Sequence, residues 1–318
     1  MRRNIALDIL KLSMTFMVVG IHTGFLGDFT LLGQFITTEG IFRIAVPVFL
    51  LINGYYFYSV VTESTQTKWF KRVLVLYAFW MCFYIYFWFP LNGFSIIEAA
   101  KLIGTVIIGY HHLWYISGML GAALILLLLR DAKTILIVSS IVILFIIGVF
   151  IQYIGTYHLY PNSLLDTFSN FTWSHRNFLF ISYPFFALGY LVKKHSLCLR
   201  ISFTSVILLS TIGAVLLIGE SFVNYYQTGR DGGFDNYLSL LLVCPAIFIL
   251  FMKMNITGSS KNISLFASAI YFIHPFIFRV FRTFTSYEQT LITFAVILTS
   301  SFVSIYIIKL NNKFKWIL

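Results

Sequence analysis

The chain has 318 residues, 59% of them apolar and 10% charged, with 35 Phe, 19 Tyr and a mean hydropathy of +0.88. A soluble domain carries about a quarter of its residues as charges, so this composition excludes one. Lys and Arg outnumber Asp and Glu by 22 to 11, an excess that in a multispanning chain reflects cytoplasmic loops and not a nucleic-acid partner.

About ten apolar runs of roughly 20 residues each leave about ten residues per connection, so no extramembrane catalytic domain of the usual size fits between the runs. Residues 1–318 are therefore expected to form one transmembrane domain with its chemistry among the helices. Met1-Arg2-Arg3 resembles the start of a signal peptide. The run that follows carries Asp8, Lys11 and His22 and has no small-x-small cleavage site, so it reads as a retained first helix. Apolar runs bounded by charge, Gly or Pro predict helices near 5–27, 40–61, 71–90, 112–129, 134–154, 178–193, 201–219, 236–252, 263–284 and 288–308. With the N-terminus in the cytoplasm, 15 of the 22 cations fall on inner segments. The expected fold is thus all-α and polytopic, with about ten transmembrane helices and both termini cytoplasmic. The segments from Glu63 to Lys71 and from Ser95 to Gly109 read equally as interfacial amphipathic helices or as loops. Cys82, Cys198 and Cys244 are far apart, form no CxxC pair and read as packing residues.

An ionisable side chain inside a bilayer costs about 2.5–3.5 kcal/mol on insertion scales, which makes each one a functional candidate. Lys11 and His22, eleven residues apart, fall about 20° apart around a helix and roughly 16 Å along it, on one face. Asp8 is placed to pair with Lys11, as a structural ion pair or as part of a site. His22 titrates near neutral pH when unperturbed; the alternative is an imidazole bonded to a nearby carbonyl. Arg43 stands at the outer edge of the second helix, one turn before Pro47, which frees backbone carbonyls. Asn53 further along reads as a buried hydrogen-bonding residue. Lys68, Lys71 and Arg72 line the inner surface, either as simple positive-inside bias or as a seat for phosphates. On the outer side, His111-His112-Leu113-Trp114-Tyr115 opens the fourth helix, with no ligand spacing that marks a metal site. Ser174-His175-Arg176-Asn177 opens the sixth, and His274-Pro275 sits midway in the ninth, where a lined cavity and a plain kink are both consistent with the residues.

These pieces together resemble the membrane-bound acyltransferase 3 family. Arg3-Asn4-Ile5-Ala6-Leu7-Asp8-Ile9-Leu10-Lys11 with Val18-Val19-Gly20-Ile21-His22 is similar to its first helix, including a basic residue, ten intervening residues and a histidine. Arg43-Ile44-Ala45-Val46-Pro47 through Gly54-Tyr55 is similar to its second-helix motif, and Ile270-Tyr271-Phe272-Ile273-His274-Pro275 to its late motif. His112-Leu113-Trp114-Tyr115 is similar to another recurring stretch. The resemblance runs nearly end to end. It departs at Lys68-Trp69-Phe70-Lys71, where many relatives carry Arg-x-x-Arg; the charge is kept and the bidentate fork is lost.

The resemblance implies acyl transfer across a membrane, with no resident cofactor. The donor is an acyl-CoA, usually acetyl-CoA, on the cytoplasmic side, and the acceptor is a hydroxyl of a cell-surface glycan or its lipid-linked precursor. The expected location is a bacterial inner or plasma membrane. Under this reading His22 is the general base or a transient acyl carrier. Arg43 steadies an oxyanion or orients His22, and Lys11 meets the donor or holds Asp8. Lys68, Lys71 and Arg72 hold the CoA phosphates. His112, Trp114, Arg176 and His274 contact the acceptor or support the site. A transporter or exporter of a polysaccharide or small metabolite is the rival, but no internal repeat of the kind carriers often show is visible. A purely structural membrane partner leaves Lys11, His22 and His274 without a role. No residue reads a particular sugar or acyl chain, and the sequence fixes no oligomeric state.

Overall fold

The computed structural model describes residues 3–90, 95–254, 256–258, 261–284 and 289–318. Arg2, and position 288 at which the tenth helix was expected to begin, lie outside them.

The first helix, α1 (Ile5–Thr23), starts where the Asn4 side chain accepts from the Ala6 N–H at 3.0 Å. It ends four residues earlier than expected because Gly24 takes the left-handed conformation, φ 75°, that closes a helix. Helix α2 (Leu31–Thr62) is longer than the sequence suggests. Its outer end passes through a π turn (Phe35–Gly40) and a 3-10 turn (Ile41–Ile44) before becoming regular at Ala45. Pro47 has no N–H to offer the carbonyl of Arg43, so a regular helix cannot run unbroken through this point.

After the turn at 63–65 come α3 (Gln66–Phe83), α4 (Ile96–Ile108), α5 (His111–Leu129) and α6 (Thr134–Thr156). The Glu63–Lys71 segment is therefore a turn and the first turns of α3, not a separate interfacial helix. The Ser95–Gly109 segment is a helix: Ser95 and Glu98 form a reciprocal capping box, and Ile96, Ile97, Ile103 and Ile107 are exposed. Next come α7 (Tyr183–Lys194), entered through a π turn (Phe178–Ser182), then α8 (Phe203–Tyr226), α9 (Leu240–Lys253), α10 (Asn262–Phe284) and α11 (Gln289–Lys313). A helix thus stands at each of the ten expected spans. Seven of them, α1, α2, α5, α6, α8, α10 and α11, are long and apolar enough to cross a membrane. In α3 the cations Lys68, Lys71 and Arg72 fall within the first two turns, and α7 and α9 have only 12 and 14 residues. Among the described residues the one departure from all-α is a two-residue antiparallel bridge, Arg3–Asn4 against Thr257–Gly258. The three cysteines are free.

Half or more of α1, α2, α5 and α10 is buried inside the bundle, against a third or less of α6, α8 and α11. The outer group shows Leu298, Phe302 and Val223 to its surroundings, as lipid-facing helices do. The inner group carries the polar residues singled out above. The closest helix contact joins α2 to α7: Gly54 lies directly on the Phe186 backbone and Gly189 on that of Leu51, where a Cβ would collide. Small residues that let backbones meet are the usual glue between helices in lipid.

Candidate active site: four histidines between charged walls

Helices α1, α5 and α10 bring four imidazoles together. The His22 ring lies 4.5 Å from that of His111 and 5.3 Å from that of His274, and His112 lies 5.6 Å from His274. His112 and His274 are buried. Among the described residues no three His, Cys, Asp or Glu side chains converge as metal ligands would. His22, His112, Trp114, Arg43, Arg176 and Asp235 line one cavity of about 50 Å³, so residues from five separate stretches of sequence meet there.

The orientation of His274 follows from its neighbour. Pro275 cannot donate to the carbonyl of Tyr271, four residues back, and the His274 Nδ1 takes that place at 2.8 Å. A carbonyl only accepts, so Nδ1 carries the hydrogen and Nε2 keeps the lone pair. That Nε2 is buried with no hydrogen-bond partner among the described residues. Helix α10 runs on through Pro275, and Pro275 itself lines a cavity, so the freed carbonyl and a lined space occur side by side.

Arg43 enters the cavity already engaged. One terminal nitrogen meets Glu39 at 2.5 Å and the other meets Asp235, while Nε is buried with no partner among the described residues. Asp235 also pairs with Arg176 at 3.5 Å and His175 at 3.7 Å, and the Arg176 guanidinium lies over the Trp114 ring. Asp235 itself is positioned by Gln152, whose Oε1 accepts from the N–H groups of residues 235 and 236. Burial alone would raise the Asp235 carboxyl. Arg176 and Arg43, with a hydrogen bond from His175, instead hold it well below the usual carboxylate range. Two guanidiniums facing two carboxylates make this wall close to neutral, and no hydrogen bond runs from Arg43 to His22 among the described contacts. Arg43 is therefore placed beside His22 by a carboxylate clamp, not by direct bonding to the imidazole.

A second cavity of about 160 Å³ lies further along α1, lined by Lys11, Thr15, Asn53, Tyr115, Tyr271 and Leu318 among others. Tyr271 belongs to both cavities; its hydroxyl donates to the His112 carbonyl at 2.8 Å. Lys11 donates to Ser264 Oγ at 3.3 Å, and Asn53 donates to the Tyr115 hydroxyl at 2.6 Å. Asn53 thus sets an aromatic wall. Arg72 reaches this end of the bundle through the Leu318 carbonyl at 3.4 Å. Lys68 and Lys71 stand exposed on α3 and do not line the cavity.

Of the residues the sequence singled out, His22, Arg43, His112, Trp114, Arg176 and His274 are gathered at one end of the path and Lys11 at the other, whereas Lys68 and Lys71 are not brought in. Glu39, His111, Asp235 and Tyr271 were not assigned to the site. Tyr271 sits three residues before His274 within the late motif, a signal that was available. Asp235, in a Gly-rich loop, gave none.

A profile of the acyltransferase 3 family, described as an acyltransferase domain, matches residues 4–310. The chain belongs to the acyltransferase 3 family. An amino-acid racemase of Enterococcus faecalis is 26% identical to this acyltransferase 3 family chain over 326 residues, covering 93% of the chain and 45% of the racemase. A serine/alanine racemase of Enterococcus gallinarum is 25% identical over 341 residues, covering 99% of the chain and 47% of that protein. The family member described here thus spans about half the length of these curated relatives. No solved structure matches it significantly. Its family and the seven long apolar helices among the described residues make it a multi-pass membrane protein with an acyltransferase domain.

Proposed function

We propose that the protein moves a short acyl group, acetyl in the simplest case, from acyl-CoA at the Lys11 end of the bundle to a hydroxyl of a cell-surface glycan or its lipid-linked precursor at the His22 end. The observation that supports this most is the pair of cavities that share Tyr271, one holding a lysine and the other a histidine. Lys11, with Arg72 nearby, suits the anionic donor, and both termini face the cytoplasm in this orientation. At the other end His22 takes the hydroxyl proton as the new C–O ester bond forms and the thioester C–S bond breaks; the proton then leaves with the CoA thiol. Alternatively His22 carries the acyl group briefly on its own nitrogen before the hydroxyl takes it. Arg43, clamped by its carboxylates with Nε–H left without a partner among the described residues, offers that donor to the developing oxyanion.

The test is acetyl release from labelled acetyl-CoA by the protein in nanodiscs, with and without a cell-surface glycan extract. Wild type transfers label to the glycan and His22→Ala, although inserted and accumulated, does not. Wild-type transfer by that variant removes His22 from the chemistry. A carrier of a polysaccharide or small metabolite is the second reading; because the two relatives are named as racemases of amino acids, an amino acid is the first solute to try. This reading predicts no donor turnover with any extract, and instead uptake of an amino acid into proteoliposomes.

A further inference from the structure

Across the histidine cluster from the Arg43 cavity lies a separate cavity of about 240 Å³, several times larger than the one beside His22. Pro275, Phe278, Arg279 and Arg282 fall at the i, i+3, i+4, i+7 positions that form one stripe of a helix, and this stripe of α10 makes one wall. Tyr84, Phe87, Tyr110 and His111 make the other. The Arg279 guanidinium lies 4.4 Å over the Phe87 ring and that of Arg282 lies 5.7 Å from the Phe278 centroid. Neither pairs with a carboxylate among the described residues, and no acid lines the cavity. His111 joins this space to the chemistry: its ring is 4.5 Å from His22, and its backbone holds φ 49°, an uncommon conformation for a residue with a side chain.

In the orientation proposed above, this is the face where positive-inside bias disfavours arginine. Two exposed arginines one turn apart, without a carboxylate partner among the described residues, line an aromatic-walled space together with a histidine, a set that matches a phosphate, which planar guanidiniums bind through paired hydrogen bonds. We infer that this cavity is the subsite for a phosphate group carried by the acceptor, placing the sugar next to that phosphate within reach of His22 past His111. The inference rests on the acyl-transfer reading for the identity of the occupant, but its test does not use acyl transfer.

Binding is measured without any acyl donor, on protein in dodecyl maltoside, a detergent free of phosphate. The probes are N-acetylglucosamine 1-phosphate, the free sugar, and dihexanoyl phosphatidylglycerol as a lipid headgroup. The sugar phosphate is expected to bind wild type measurably tighter than the free sugar. Arg279→Gln and Arg282→Gln are each expected to weaken it about tenfold, the effect of one charge-assisted hydrogen bond. The double Arg→Lys variant, which keeps the charge, recovers part of the loss and shows that the cavity wall has not collapsed. Equal binding of the free sugar, no binding of the sugar phosphate, or unchanged binding in the double Gln variant overturns the assignment. Binding of the short-chain phospholipid alone also overturns it, since the two arginines would then hold the bilayer and not the acceptor.

Discussion

His274 donates from Nδ1 to the carbonyl of Tyr271 at 2.8 Å, the carbonyl that Pro275 leaves without a backbone donor. A proline that opens the helix thereby fixes which imidazole nitrogen bears the hydrogen.

Pro275→Ala is expected to restore a backbone N–H to that carbonyl and compete with His274 for it. The protein should accumulate normally, because alanine favours the helix, yet acyl transfer should fall at least tenfold as the tautomer and ring position are released. His274→Gln, which can still donate to the carbonyl, should fold as well as wild type and be as impaired as His274→Ala. Full activity in Pro275→Ala would show that the bond has no bearing on the reaction.

Asp235 holds Arg43 and Arg176 at once, so Asp235→Asn leaves the largely buried Arg43 with Glu39 alone and takes from Arg176 its carboxylate. Breaking a buried pair of this kind costs about 3–5 kcal/mol. A large fall in thermal midpoint is expected, most of it cancelled when Arg43→Gln is added. Because the Asp235 carboxyl is held below its ordinary value of 3.8, its contribution is fully present above that pH and is lost as pH falls through the depressed value. The gap in midpoint between wild type and Asp235→Asn should be flat from pH 8 to 5 and close below about pH 4. A gap that persists in acid would mean that the charge on Asp235 is not what matters.

His158, in the loop after α6, shows the opposite sign. Its hydrogen bond with Asp166 at 3.0 Å, and the nearby Asp231 at 3.5 Å, raise it above the ordinary value of 6.5. The tie is complete below pH 6.5 and is lost as pH rises through the raised value. Amides of the short helix Leu164–Ser169 should therefore exchange faster at pH 8.5 than at pH 6 once intrinsic rates are removed. Asp166→Asn should abolish that difference; a difference that survives would place the pH sensitivity elsewhere.

Much of this arrangement was readable in the chain. Lys11 and His22 line successive cavities because eleven residues return a helix to nearly the same face, a matter of pitch alone. The His274-Pro275 pair likewise declared an opened backbone. What the sequence concealed depends on tertiary contact. The stretch 31–39 reads as a loop, with Gly33 and a Thr37-Thr38 pair, yet it coils into a helical turn followed by a π turn, whose last residue, Gly40, lies close against Ser221 of α8. Asp235 becomes part of the site only when Gln152, on a different helix, seizes the backbone of its loop. Lys68 and Lys71, expected to hold donor phosphates, stand in a motif that this chain alters, and their exposed side chains are not among those that line the cavity with Lys11.

The glycine contacts between α2 and α7 carry a mechanical consequence. With Gly54 against the Phe186 backbone and Gly189 against Leu51, neither helix can slide along the other without first separating from it, and Lys193 at the end of α7 sits 4.9 Å over the Tyr55 ring of α2 like a latch. The two helices are a single strut, and Arg43 rides on it. Any breathing that admits a bulky acceptor must then come from the opposite jaw, α10, whose proline already interrupts its hydrogen-bond ladder halfway along.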